Sequence, residues 1–251
     1  MANKSDEGNG LDIAGFGKIA KAIPPKVYER SASALIKTFE QLVAPITEST
    51  SGFGRYIRQK FDNMVDAEKA IATYTVEKAF ARARTRAAKT GKPLAPPAHL
   101  KSFVRCIEEA SKETDPLMHE MWTNLLATQL VEDKSHPHFV EILPHFSPLE
   151  AKLLVSLLPR SAVGENSGRY LFSSLDCFTH WMPKNNGALN PWTISCEMLC
   201  EFRFADLLAP KGNVNQYAAI LHRTETGAAF LSAVTAPPTN KSVSGEEHDA
   251  V

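Results

Sequence analysis

Residues 99–155, HLKSFVRCIEEASKETDPLMHEMWTNLLATQLVEDKSHPHFVEILPHFSPLEAKLLV, carry the clearest structural signals in the chain. Asp115-Pro116 predicts a helix start, because an Asp side chain accepts hydrogen bonds from exposed N–H groups and Pro tolerates the first helical position. Apolar residues then recur at helical spacing around Trp122, which we expect to be buried. Ser147 and Glu150, three positions apart, predict a capping box at the start of another helix. The stretch therefore predicts short helices that pack as one unit.

The sequence on either side predicts a mainly α-helical protein with a small α+β part near its end. Residues 25–91 have helical apolar spacing and should form a bundle-like region, with a long helix over about residues 55–89. Gly91 is the predicted stop of this helix. Prolines at 93, 96 and 97 then predict a linker at the start of a compact module, residues 92–236. The end of the chain is predicted to be winged-helix-like. Its predicted elements are a helix near 193–204, strands at 205–208 and 216–221, and a helix at 224–234. The polar ends, residues 1–24 and 237–251, should be flexible.

Composition narrows the class of protein. The 251 residues include 28 Lys and Arg against 28 Asp and Glu, so the whole chain has no strong attraction to nucleic acid or acidic membranes. Its 4 cysteines have no short-spaced framework, which favours free thiols in a reducing cytoplasm. The N-terminus lacks the basic and apolar regions of a secretory signal. These features predict a cytoplasmic protein.

A basic run near the end of the long predicted helix is the candidate for contact with nucleic acid or another anion. Such contacts would be salt-sensitive and independent of sequence. The alternative is an exposed helix end, where cations oppose the negative end of the helix dipole. Aromatic residues do not alternate with these cations, which argues against stacking on single strands. The residues are Lys78, Arg82, Arg84, Arg86, Lys89 and Lys92.

Other reactive residues do not form a recognised motif. His136, His138 and His145 are candidate metal ligands, but no Glu or Cys joins them at a known spacing, so structural roles are favoured. Cys196 and Cys200 should share a helix face and pack as apolar groups. The sequence contains no P-loop, G-x-S-x-G or H-E-x-x-H motif. We predict no catalytic residues, metal or cofactor, which favours a non-enzymatic protein.

Several segments resemble the abortive-infection alpha family of bacterial proteins, long catalogued as a domain of unknown function. They are KPLAPPAHLKSFV (92–104), MHEMWTNLLATQLVED (118–133), SHPHFVEILPHFSPLEAKLLVSL (135–157), LCEFRFADLLAP (199–210) and TETGAAFLSAV (224–234). The resemblance covers roughly residues 90–234. The chain departs from the family pattern at residues 203–206, where Arg-Phe-Ala-Asp replaces a Leu-Gly turn.

The resemblance implies a role in phage defence, in which an infected cell dies or stops growing. Because the family is not defined by catalytic residues, we expect a non-catalytic protein that binds a phage or host component. Homo-oligomer formation stays open. One alternative is a membrane-associating effector, peripheral at the inner membrane, that uses residues 11–23 and the N-terminal helices. Another is a nucleic-acid-binding regulator that uses the winged-helix-like part.

Overall fold

A computed structural model describes residues 23–28, 30, 32–47, 53–131, 135–157, 191–208 and 220–236. These residues are mainly helical, as predicted, with one small antiparallel sheet. The helices are α1 (Ala32–Thr47), α2 (Phe53–Asp62), α3 (Asp66–Thr90), α4 (Leu100–Ala110), α5 (Pro116–Gln129), α6 (His138–Ile142), α7 (Pro148–Ser156), α8 (Pro191–Glu201) and α9 (Glu225–Val234), with short 3-10 turns at Pro25–Val27 and Leu143–His145. The strands are β1 (Ala205–Leu208) and β2 (Ile220–Arg223).

Helix α5 forms the centre of the fold. It packs against α3, α4, α7 and α9, and 11 of its 14 residues are buried, so it is covered on nearly every side. Trp122 is only 1% exposed, which confirms the prediction that it belongs to the core. The N-terminus of α5 is capped as expected, because Asp115 Oδ1 accepts hydrogen bonds from the N–H groups of Leu117 (2.9 Å) and Met118 (3.1 Å).

The predicted capping box is also confirmed at the start of α7. The Ser147 N–H donates to Glu150 Oε2 at 2.6 Å, and the Leu149 N–H donates to Ser147 Oγ at 3.2 Å. Glu150 also bonds to Ser195 of α8. Burial would raise the pKa of Glu150, but its hydrogen bonds with Ser147 and Ser195 lower it overall. The cap therefore orients α7 and joins it to α8.

The prediction of one continuous helix over residues 55–89 is wrong. The helix is interrupted between α2 and α3. The Met64 N–H donates to Phe61 O at 3.1 Å, and Val65 is extended, with φ −72° and ψ 160°. The interruption lets α2 pack separately on α1: Phe61 of α2 stacks on Phe39 of α1, with ring centroids 4.0 Å apart. Apolar spacing is helical on both sides of the break, so spacing alone could not indicate it. The predicted helix stop is confirmed, since Gly91 has φ 68°.

The small sheet follows α8 and precedes α9. Ala205 pairs with Arg223 and Leu208 with Ile220 in an antiparallel register. The described part of the second strand is residues 220–223, and it includes 220 and 221 of the predicted strand 216–221. Residues 216–219 lie outside the described residues. The described residues confirm the strand at 205–208 and a final helix, whereas the winged-helix-like arrangement stays a prediction.

The turn between α8 and β1 contains Arg203, one of the residues at which the sequence departs from the pattern that it resembles. Arg203 has φ 58°, a left-handed conformation that favours glycine. The Phe204 N–H bonds to Leu199 O and the Arg203 N–H to Cys200 O, both at 2.9 Å, which is the hydrogen-bond pattern of a Schellman cap. Helix α8 therefore ends at an arginine in a conformation where glycine would be less strained.

Candidate functional site

A row of polar side chains runs between α3, α5 and α9 through an otherwise apolar core. Residues three and four apart on a helix lie on one side, so α3 directs several of these groups toward α5. We call this row the polar seam. It comprises Thr75, Lys78, Arg82 and Arg86 of α3, His119, Glu120, Asn124 and Thr128 of α5, and the backbone carbonyls at the end of α9.

The innermost contact of the polar seam is between Thr75 and His119. Thr75 Oγ1 donates to Ile71 O at 2.7 Å, so it is left to accept from His119 Nε2 at 2.8 Å. His119 is 1% exposed. Burial, with smaller contributions from the charge of Lys78, lowers the pKa of His119 to about 4. The imidazole is therefore neutral at neutral pH and serves as a hydrogen-bond donor between α3 and α5.

Glu120 holds the middle of the polar seam. Lys78 Nζ and Arg82 Nη2 both form ion pairs with its carboxylate. Partial burial would raise the pKa of Glu120, but the hydrogen bonds and charges of Lys78 and Arg82 outweigh this effect and lower it. Two of the six predicted anion-contacting cations thus have an internal partner that the sequence analysis did not pair with them.

Arg86 joins α3 to the end of α9. It is 7% exposed and bonds to Thr128 Oγ1 and, at 2.7 Å, to Thr235 O. Asn124 Nδ2 donates to Val234 O at 3.2 Å, and Thr128 Oγ1 lies within hydrogen-bond distance of Ala233 O at 2.8 Å. The last carbonyls of a helix lack intrahelical donors and carry its negative dipole end, so a buried cation there is favourable. The polar seam therefore fixes α9 onto α3 and α5.

The remaining predicted cations, Arg84, Lys89 and Lys92, lie on the surface. They form no ion pair with any residue in the described ranges. We call these three residues the basic end of α3. The structure thus divides the basic run in two: Lys78, Arg82 and Arg86 hold helices together, and the basic end is open to solvent. The i, i+4 spacing of the first three was the sequence signal that they share a face.

The three histidines considered as metal ligands make separate contacts. His136 Nδ1 accepts from the His138 N–H at 3.2 Å, and His138 Nδ1 lies 3.4 Å from Glu141 Oε2. The ring of His145 lies 6.3 Å from that of Phe202. Within the described part of the chain, no three His, Cys, Asp or Glu residues are grouped so that they could hold a metal ion.

The described thiols pack as apolar groups. Cys106 and Cys196 are buried and Cys200 is half-buried. Burial raises the pKa of Cys106 well above its ordinary value; it also raises that of Cys200, with added effects of Asp206 and Glu197. Since the thiolate is the reactive form, these environments disfavour nucleophilic chemistry.

The described residues bear on the membrane alternative in two ways. None of their helices combines the length and apolar character that a membrane span requires. Ile23, the last residue of the predicted amphipathic segment, is buried against Ala70 and Ile71 of α3. Residues 11–22 lie outside the described residues.

Comparison with known families supports the resemblance seen in the sequence. Residues 70–182 match the family model "Abortive infection alpha". The matched family is the one that the sequence resembles, and its name suggests a role in abortive infection. The match includes nearly all of α3 and the whole of α5, hence the side chains of the polar seam, and it ends before α8. No curated protein and no solved structure matches the chain.

Proposed function

We propose that the protein acts in abortive infection by binding an acidic phage or host component through the basic end of α3, without transforming it. The observation that carries this proposal is the division of the basic run. Lys78, Arg82 and Arg86 are engaged within the fold, whereas the basic end presents three cations to solvent within the family-matched region. Exposed cations near a helix C-terminus suit a partner that carries negative charge.

The size of two surface grooves favours binding by surface contact over enclosure of a small substrate. One groove, next to Arg84 and lined by Leu42, Phe80 and Leu94, has a volume of about 180 Å³. Another, between α1 and α2, has a volume of about 120 Å³. Pockets that enclose drug-sized ligands are typically about 300–1,000 Å³. Exposed cations beside a small apolar groove fit a protein partner better than a small molecule.

The nucleic-acid alternative has less support. The helix that would read DNA in a winged-helix arrangement is α8, and its exposed residues include Glu197 and Glu201. These carboxylates would repel phosphates. The neighbouring Arg203 is the one exposed cation between residues 194 and 206 of the described chain. The basic end therefore provides the better surface for an anionic partner.

A plaque assay tests the proposal. Bacteria that express the protein should show reduced plaque counts for part of a broad phage panel. The triple substitution Arg84→Gln, Lys89→Gln, Lys92→Gln should abolish this reduction. A matched control, Arg105→Gln, Lys101→Gln, Lys152→Gln, removes the same charges from exposed positions on α4 and α7 and should keep the protection. Thermal unfolding must show that both variants are folded.

Two outcomes contradict the proposal. Unchanged plaque counts for the wild-type protein across the whole panel would remove the defence role. Equal protection by the basic-end variant and the control would show that the partner binds elsewhere.

A further inference from the structure

We infer that the apolar groove next to Arg84 binds one aromatic or leucine side chain from an acidic peptide segment of a partner protein. We call this groove the α1–α3 groove and the side chain that enters it the anchor. The lining includes Leu42 of α1, Phe80 and Arg84 of α3, Leu94, and Leu130. The inference rests on the proposed function and deepens it, because it names the chemistry that the partner must present.

The α1–α3 groove forms where the chain turns back after α3. Gly91 ends this helix with φ 68°. The Ala95 N–H then donates to Leu130 O at 3.0 Å, which fixes the segment after α3 against the end of α5. Leu94, next to Ala95, and Leu42 of α1 both line the groove. A backbone hydrogen bond therefore holds part of the lining in place before any partner binds.

The size and lining of the groove suit one apolar side chain. Its volume is about 180 Å³. An apolar cavity of about 150 Å³ is large enough to bind benzene. Phe80 is 7% exposed and Leu130 2%, whereas Leu94 is 40% exposed. An anchor in the groove would therefore remove its own apolar surface and that of Leu94 from water, which favours binding.

The cations around the groove favour an acidic partner. Arg84 is the one charged side chain among the described residues that line it. Exposed Lys37 lies one turn before Gln41 on the same side of α1, and Gln41 is part of the lining. Exposed Lys92 precedes Leu94 by two residues. None of these three cations forms an ion pair with a described residue.

The described carboxylates of α1 and α3 that are nearest in sequence to the lining have other partners. Glu40 of α1 pairs with Arg58 of α2 at 2.9 Å. Glu77 of α3 pairs with Arg30 at 2.7 Å. The carboxylates that could balance the exposed cations must therefore come from elsewhere, and an acidic partner segment can provide them.

Two further acidic residues follow the lining closely in the chain. Glu132 and Asp133 come two and three positions after Leu130 and lie outside the described residues. If they were paired with Arg84, an acidic partner would have no advantage over a basic one. Probe peptides of opposite charge therefore decide the sign of the charge that the groove prefers.

Titration of the full chain with short synthetic peptides tests the inference. The probe is Glu-Glu-Phe-Glu-Glu with blocked ends. One control, Glu-Glu-Ala-Glu-Glu, lacks the anchor, and the other, Lys-Lys-Phe-Lys-Lys, reverses the charge. At about 50 mM salt the probe should bind with a Kd of about 0.1–1 mM, at least about ten-fold tighter than either control. Equal binding of the probe and either control overturns the inference, as does no probe binding at about 10 mM.

Matched substitutions locate the binding. Leu94→Glu places a carboxylate in the lining and should weaken probe binding at least about ten-fold, whereas Val155→Glu makes the same kind of change at an exposed position on α7 and should leave the Kd unchanged. Arg84→Gln should weaken binding several-fold and Arg105→Gln on α4 should not, which keeps the test decisive if Leu94→Glu fails to fold. The inference fails if either groove variant binds the probe as the wild-type chain does, or if its control loses as much affinity.

A photoreactive probe maps the contact. The same peptide with p-benzoylphenylalanine in place of phenylalanine should attach on irradiation to Leu42, Leu94 or Pro96. Attachment confined to other parts of the chain overturns the inference. Residues 1–22 contain Phe16 four positions after Asp12, so they could act as an anchor segment of this chain itself. If they filled the groove, the probe would not attach there, and the inference of a partner segment would be wrong.

The plaque assay separates this inference from the proposed function. Leu94→Glu should abolish the reduction in plaque counts, and Val155→Glu should keep it. Protection that survives Leu94→Glu but is lost in the triple basic-end variant overturns the role of the groove and leaves the proposed function intact. Probe binding without any plaque reduction by the wild-type protein removes the defence role, while the groove stands as a peptide site.

Discussion

The substitution Gly227→Ala in α9 gives the sharpest test of the packing between this helix and the turn that precedes β1. Alanine normally stabilises a helix relative to glycine by about 1 kcal/mol. Here a Cβ atom would lie 2.1 Å from Phe204 O, 2.9 Å from Phe204 C and 3.0 Å from Phe204 Cα. All three atoms belong to the backbone and cannot rotate away. The structure therefore predicts destabilisation where helix propensity predicts a gain.

The magnitude follows from the displacement that the new methyl group demands. Relief of the 2.1 Å contact requires α9 and the Phe204 backbone to separate by about 1 Å. That movement disturbs the 3.0 Å hydrogen bond from Thr224 N–H to Phe204 O and the stacking of Phe204 on Phe230, whose ring centroids lie 4.5 Å apart. Overpacking of this kind costs about 1–3 kcal/mol. With the lost contacts we expect about 3 kcal/mol in all, or a melting temperature about 6–12 °C lower.

Urea and thermal unfolding of the purified full chain measure this effect. Gly91→Ala is the matched control, because a Cβ there meets nothing within 4 Å and the only strain comes from φ +68°. It should cost about 1 kcal/mol, the penalty of a left-handed conformation. A Gly227→Ala protein that unfolds at the same urea concentration as the wild-type chain, or later than Gly91→Ala, would refute the close approach of α9 to Phe204.

Four further changes test other parts of the structure by the free energy of unfolding. Trp122→Ala should lower it by about 3–5 kcal/mol, as expected for a buried aromatic residue, and unaltered unfolding would show that Trp122 is not core. Ser147→Ala should cost about 1 kcal/mol through the lost cap, and an unshifted urea midpoint would refute the cap. Arg203→Gly should raise stability by about 1 kcal/mol, because glycine removes the strain at φ 58°; a loss in stability measured by thermal melts would contradict this. Because the pKa of His119 is lowered from 6.5 to about 4 in the folded chain, the unfolded chain binds the proton first, so stability should be full above pH 6.5 and fall by about 3 kcal/mol as the pH drops toward 4. His119→Gln should flatten that pH profile, and an identical profile would exclude His119 as its source.

Local patterns were sufficient to predict the features that depend on neighbours in the chain. The caps at Asp115 and Ser147 follow from a polar side chain placed two or three residues before exposed N–H groups, and the structure confirms both. The family resemblance was likewise carried by short segments, and the match over residues 70–182 confirms it for the three segments between residues 92 and 157. The two segments at 199–210 and 224–234 lie outside the match. The burial of Trp122 followed from the apolar spacing around it.

The candidate site could be predicted only in part. The sequence indicated six cations in one basic run, and three of them, Arg84, Lys89 and Lys92, are indeed exposed. It did not indicate that Glu120 pairs with Lys78 and Arg82, because the partners lie 42 and 38 positions apart. The sequence also did not indicate the hydrogen bond from Arg86 to the carbonyl of Thr235, because these two residues are 149 positions apart.

The amino-acid sequence by itself determined the helical class, the helix starts after Asp115 and Ser147, and the family resemblance of the central region, because hydrogen bonding at helix ends and apolar spacing act over a few residues. Only the tertiary structure decided the break at residues 63–65, the register of the small sheet and the division of the basic run into cations that pair within the polar seam and cations that are exposed. Those features depend on which helix faces which, and that choice is made by burial of apolar surface and by pairing of polar groups that are distant in the chain.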